Sequence, residues 1–185
     1  MTATRFDVAF VCTGNRFRSP LAAALLAAET NQLPVRVESA GILDVGPTPA
    51  LPEAVAAART FGIDLSGHRA RALKQVDLQP FDLVLGFELL HVRAAVGTSH
   101  APAERTFVLP ELVHLLEALP APPVTETLEW ARRRIQQANR LRAEAGSSLP
   151  AHDVPDPIGR PASVQRRTAE EVRELVSRLT RALFR

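Results

Sequence analysis

Phe6-Asp-Val-Ala-Phe-Val-Cys-Thr-Gly-Asn-Arg-Phe-Arg-Ser-Pro20 changes character at Cys12. The first seven residues are β-branched or aromatic at most positions and read as a buried strand. A Gly-containing loop follows. Ser19 then offers a helix N-cap with Pro20 at the first helical position. The Ala/Leu run from Leu21 to Glu29 is a strong helix former. A strand, a tight loop and a helix in that order are the opening of a parallel α/β unit.

The same alternation continues outward. Val35-Arg-Val-Glu-Ser39 reads as a second strand stopped at Gly41, and Pro52 to Phe61 as a helix closed by Gly62. Asp82-Leu-Val-Leu-Gly86 is a third strand, with a helix from about Glu88 to Val96. Thr106-Phe-Val-Leu109 is a fourth, with a short helix from Glu111 to Leu119. Parallel strands with right-handed crossovers follow from this order. The expected fold is α/β and three-layered, a small four-stranded parallel sheet with helices on both faces. The tail adds a long Arg-rich helix, Leu128 to Glu144, and a loop from Gly146 to Pro161. A closing amphipathic helix, Ser163 to Phe184, carries Val172, Leu175, Val176 and Leu179 on one face. Arg132-Arg133-Arg134 reads as a solvated face balanced by Glu126 and Glu129. Leu119-Pro-Ala-Pro-Pro123 reads as a connector inside one domain, residues 1–185.

Composition narrows the function. The chain has 185 residues, 46% hydrophobic and 23% charged, enough for a real core. Its 22 basic and 20 acidic residues leave a net charge of +2, which argues against a nucleic-acid binder driven by counterion release. The pI near 9.4 comes from Arg, since Lys74 is the only lysine. One Cys makes neither an intrachain disulfide nor a Cys-rich metal cage. Met1 to Asp7 carries no signal-peptide pattern, and the apolar run Leu21 to Ala28 is too short to span a bilayer. The expectation is a cytoplasmic monomer without membrane or nucleic-acid partners.

Ligands of an open parallel sheet gather at the carboxyl ends of its strands, beside the point where strand order reverses. The loop after the first strand holds the only thiol, Cys12. Backbone N–H groups of a tight turn feeding a helix N-terminus cradle an anion, and the same field favours thiolate over thiol. Thr13, Gly14, Asn15, Arg16, Phe17 and Ser19 are therefore the candidate phosphate-binding residues. Arg18 can fold back as a planar fork on two oxygens of a tetrahedral oxyanion. Gly14 supplies a positive φ, and Ser19 can donate its hydroxyl to the sulfur. Thiolate attack on phosphorus needs a proton for the leaving oxygen and later a base for water. Asp156, in the Asp-Pro step of a proline-stiffened loop, is the candidate acid, with Asp153 as its rival.

Here the chain resembles the low-molecular-weight protein tyrosine phosphatases over nearly its whole length. Cys12 to Pro20 resembles their C-x5-R-S-P loop. Ser39-Ala-Gly41, Leu65-Ser-Gly-His-Arg-Ala-Arg71 and Asp153-Val-Pro-Asp-Pro157 resemble three further segments in order. The resemblance implies that Cys12 becomes phosphocysteine, that Arg18 clamps phosphate, and that Asp156 serves as acid and then as base. It places Asn15, Ser19, Ser39 and His68 in a polar network that supports the loop. His91, His100, His114 and His152 show no ligand spacing, so no metal or other cofactor is expected.

Three positions depart from the family pattern. Phe17 stands where many members carry a second Cys. Arg16 occupies a position usually apolar, or Thr in the related protein-arginine phosphatases, so an acidic substrate is expected and phosphoarginine disfavoured. Ile158 replaces a Tyr or Phe that flanks a phenyl ring, and the chain has no Tyr. Phe17 and Phe87 are the candidate aromatic partners in its place. The expected function is a cysteine-dependent phosphomonoester hydrolase, a protein tyrosine phosphatase, acting on a phosphorylated protein or small phosphomonoester. The alternative is a single-cysteine arsenate reductase resolved by an external small thiol.

Overall fold

The computed structural model describes residues 5–120, 128–146 and 153–185. Among these residues four strands, β1 (Phe6–Cys12), β2 (Val35–Gly41), β3 (Leu83–Gly86) and β4 (Thr106–Val108), form one sheet. Their order is β2-β1-β3-β4, and every neighbouring pair is parallel. The chain steps from β1 to one side for β2 and to the other for β3. The topological switch therefore falls at the carboxyl end of β1, at Cys12.

Among the described residues six α-helices pack around the sheet: α1 (Arg18–Glu29), α2 (Pro52–Thr60), α3 (Leu89–Ser99), α4 (Leu109–Ala118), α5 (Leu128–Ala145) and α6 (Ala162–Phe184). Alternation along β1 decides what covers each face. Phe6, Val8, Phe10 and Cys12 point into the larger core, shared with α1, α2, α4, α5 and α6. Ala9 and Val11 point into a smaller one, with Leu73, Leu78, Phe81 and Ala95. The expected three layers are present, and they are unequal: α3 and the 3-10 turn Leu73–Gln75 cover the second face. Closing helix α6 lies against α1, α2, α4 and α5. Its predicted stripe of Val172, Leu175, Val176 and Leu179 is buried, and Phe184 packs edge-on to Phe6 at 5.4 Å between ring centroids.

Two expectations are corrected here. Helix α1 begins at Arg18, with Phe17 as its N-cap residue and no side-chain cap. Ser19 sits inside the first turn because its hydroxyl is engaged elsewhere, and Pro20 is tolerated there because that N–H has no intrahelical partner. The Arg-rich run is not one solvated face. Arg133 pairs with Glu129, but Arg132 binds Asp82 at 2.7 Å. Arg134, 3% exposed, donates to Leu116 O and Pro120 O, both at 2.7 Å. Its guanidinium thereby joins the Leu119 N–H on the Leu116 carbonyl and also takes the Pro120 carbonyl just past α4. Glu126, most of the Pro-rich connector, part of the 146–161 loop and His152 lie outside the described residues.

Candidate active site

The loop after β1 is held by its outward-facing carbonyls. Ile42 N–H donates to Cys12 O, Leu43 N–H to Thr13 O and Leu51 N–H to Arg16 O, each at 2.9 Å. His68 Nε2 donates to Asn15 O at 2.7 Å, and Leu21 N–H to Phe17 O at 3.2 Å. With these carbonyls already accepting, the N–H groups of the loop are left for an anion, as in a backbone nest.

The left-handed residue of the loop is Asn15, at φ 52°, and not Gly14 as expected. Asparagine tolerates this region better than most residues, and its surroundings over-determine the conformation. Asn15 Nδ2 donates to Ser19 Oγ at 2.9 Å and to Ser39 Oγ at 2.8 Å, while Oδ1 accepts from Arg71 N–H at 2.9 Å. Ser39, His68, Asn15 and Ser19 thus meet as one network. The glycine that sterics require is Gly41 at the end of β2. A Cβ there would stand 2.7 Å from Asn15 N and 2.8 Å from Gly14 C.

Cys12 Sγ and Ser19 Oγ are 3.0 Å apart at the floor of the loop. Ser19 Oγ already accepts from Asn15, so with an ionised sulfur its own O–H donates to Sγ. Arg18 is 1% exposed, and all four of its terminal N–H bonds are engaged. Nη1 donates to Glu88 Oε1 and to Val154 O, the latter at 2.8 Å. Nη2 donates to Thr13 Oγ1 at 3.0 Å and to Asp156 Oδ2 at 2.7 Å. Two acceptors, Thr13 and the Val154 carbonyl, flank the fork, and two are the carboxylates of Glu88 and Asp156.

Val154 explains how Asp156 reaches the loop. It is fully buried, its N–H donates to Phe87 O at 2.8 Å, and its carbonyl accepts from Arg18. This stitches the acid-bearing segment to the end of β3. The rival Asp153 is exposed. Phe17 and Phe87, at 2% and 0% exposure, belong to the core, so the expectation that either ring flanks a substrate is corrected. Phe17 offers the loop only its backbone. Arg16 Nε donates to Pro49 O at 3.0 Å, which ties that side chain to the neighbouring loop.

Sequence reasoning missed Glu88 and His91. His91 is fully buried, and Nδ1 accepts from Phe87 N–H at 3.3 Å and Glu88 N–H at 3.1 Å. Burial first, then the nearby Arg18 charge, pushes its pKa down to about 4. The available signal was positional: both follow β3, the second strand at the switch point.

The fold therefore brings Cys12, Arg18 and the Asp156 carboxylate together at the carboxyl end of β1. Residues 7–119 match the model of the low molecular weight phosphotyrosine protein phosphatases, and the chain belongs to that family of enzymes. It is 28% identical over 179 residues to a protein-arginine-phosphatase of Geobacillus stearothermophilus, covering 96% of each chain. It is 37% identical over 107 residues to the low molecular weight protein-tyrosine-phosphatase Etp of Escherichia coli (strain K12), covering 57% of this chain and 69% of that one. Among solved structures, a low molecular weight protein tyrosine phosphatase from T. tengcongensis superimposes with a TM-score of 0.69 at 31% identity, over 94% of this chain and 97% of that one.

Proposed function

We propose that this protein, as one domain over residues 1–185, hydrolyses phosphomonoesters on proteins through a phosphocysteine intermediate. The observation that carries the reading is the contact between Arg18 and Asp156 at 2.7 Å, which joins the thiol-bearing loop to an acid from the far end of the chain. Cys12 thiolate attacks phosphorus in line as the P–O bond to the leaving group breaks. Arg18 and the loop N–H groups hold the equatorial oxygens, while Ser19 O–H steadies the sulfur. Asp156 gives its proton to the departing oxygen. It then takes one from the water that cleaves the S–P bond, releasing inorganic phosphate and restoring the thiolate. Hydrolysis agrees with the relatives named above, all phosphatases, and is favoured over arsenate reduction with an external thiol. The test is turnover of an aryl phosphate. Cys12→Ser should abolish it while preserving phosphate binding, and an active Cys12→Ser enzyme would end the mechanism.

Phosphotyrosine in proteins is the first substrate reading, and the family match supports it. A second reading, phosphoarginine, is favoured by one observation: Glu88 and Asp156 place two carboxylates on Arg18, and these can accept N–H bonds from a guanidinium leaving group. The charge of Arg16, which argues for an acidic substrate, is bound at Nε to Pro49 O. Rates on phosphotyrosine and phosphoarginine peptides of one sequence separate the two. Among the described residues no helix is long and apolar enough to cross a membrane. A cytoplasmic monomer completes the proposal.

A further inference from the structure

His91 sits behind Arg18, and the mechanism above does not use it. Its hydrogen bonds fix its tautomer. Two backbone N–H groups, of Phe87 and Glu88, donate to Nδ1. That nitrogen carries no proton, so the neutral ring carries its proton on Nε2. Nε2 lies 3.2 Å from Thr13 Oγ1, and an Nε2–H can only donate. Thr13 Oγ1 also accepts from Arg18 Nη2 at 3.0 Å. A hydroxyl oxygen has two lone pairs, and these donors occupy both. Its single proton is left to donate elsewhere.

The backbone makes room for this arrangement. A Cβ on Gly86 would come within 2.8 Å of His91 Cβ, so the last residue of β3 is bare where the imidazole packs. Burial and the Arg18 charge keep the ring neutral, which preserves Nδ1 as an acceptor.

We propose that His91 is a positioning residue: through Nε2–H on Thr13 it holds the Nη2 arm of Arg18 in plane and leaves the Thr13 hydroxyl proton free for a bound oxyanion. The inference rests on the phosphatase reading, because it assigns the His91–Thr13–Arg18 chain to the grip on phosphate. A purely structural His91 would do no more than accept at the N-terminus of α3.

Two substitutions separate these roles. In His91→Asn the amide oxygen falls where Nδ1 was and keeps the two backbone bonds, but nothing reaches Thr13. In His91→Gln the amide nitrogen falls where Nε2 was and restores the donor. The expected result is a loss of about 10–100-fold in kcat/KM on an aryl phosphate for His91→Asn, the range of one charge-coupled hydrogen bond. Inorganic phosphate should weaken as a competitive inhibitor in parallel, and His91→Gln should recover most of both losses. Thr13→Val should cost as much as His91→Asn, and combining the two should cost no more than Thr13→Val alone. The proposal is overturned if His91→Asn keeps wild-type kinetics, if His91→Gln is no better than His91→Asn, or if the losses multiply. Calorimetric binding of inorganic phosphate reads the same chain without turnover. An inactive wild type that still binds phosphate sinks the hydrolase reading, whereas a wild type indifferent to phosphate sinks both.

Discussion

Arg18 Nη2 stands 2.7 Å from Asp156 Oδ2 while its Nη1 holds the carbonyl of Val154, two residues earlier. One guanidinium thus contacts both the backbone and the acid of the loop that closes the site. In the proposed reaction, substrate oxygens take the place of a carboxylate on this fork and leave Asp156 beside the leaving group.

Asp156→Asn should lower kcat by ~10²–10⁴ through loss of general acid catalysis, most strongly for poor leaving groups. Inorganic phosphate should bind at least as tightly, since no charge competes for Nη2. Rates across aryl phosphates of graded leaving-group basicity read this directly, and a change within a few-fold would remove Asp156 from the mechanism.

Glu88 also faces the fork and is 28% exposed at the side chain. Replacing it with Gln keeps an acceptor for Nη1 and removes a charge that repels a dianion. The inhibition constant of phosphate should fall about 3–10-fold, within the ~1.4 kcal/mol that a tenfold change represents. Unchanged inhibition would mean that Glu88 only props the arginine.

His91 makes stability depend on pH. Its ordinary value is 6.5, and in the folded protein it is pushed down to about 4. Between these values the unfolded chain binds the proton and the folded one does not, so stability falls as pH drops from about 6.5 toward 4. Burial is the leading cause, and the loss is of order 3 kcal/mol. Urea midpoints measured across that window should slope downward, and His91→Asn should flatten the slope.

With Phe17 buried where a second cysteine would trap an oxidised nucleophile, Cys12 has no thiol partner in the chain. Excess peroxide should carry its sulfur to sulfinic and sulfonic acids. Full recovery of activity with a thiol after such treatment would contradict this.

Gly41→Ala should deform the phosphate loop, since its methyl meets backbone atoms of Asn15 and Gly14 that cannot yield. A destabilisation of about 1–3 kcal/mol and a loss of oxyanion binding are expected. Gly67→Ala, with no atom within 4 Å of the added carbon, serves as the control.

The architecture was legible because it rests on periodicity and order. Apolar strands alternate with helices, so sheet, layers and switch point follow from residue type alone. That Cys12, Arg18 and Asp156 would meet at one strand end was legible from motif and loop chemistry. What escaped depends on where single hydrogen bonds go. Ser19 looks like a helix cap until its hydroxyl is seen between Cys12 and Asn15. Gly14 looks like the positive-φ residue until four contacts are found on Asn15. Glu88 and His91 belong to no recognisable spacing and join the site only because β3 pairs beside β1. Arg134, in a run of three arginines, is buried where its guanidinium reaches the carbonyls of Leu116 and Pro120.

The stitching of Val154 bears on how the protein comes into being. The residues of β1, its loop and all four strands are synthesised well before residue 154. At that stage Cys12 exists, but the Val154 carbonyl and the Asp156 carboxylate that contact Arg18 do not. In the proposed mechanism the site stays incomplete until residues 154–156 have been made, and a product truncated before them would carry the sulfur without the acid.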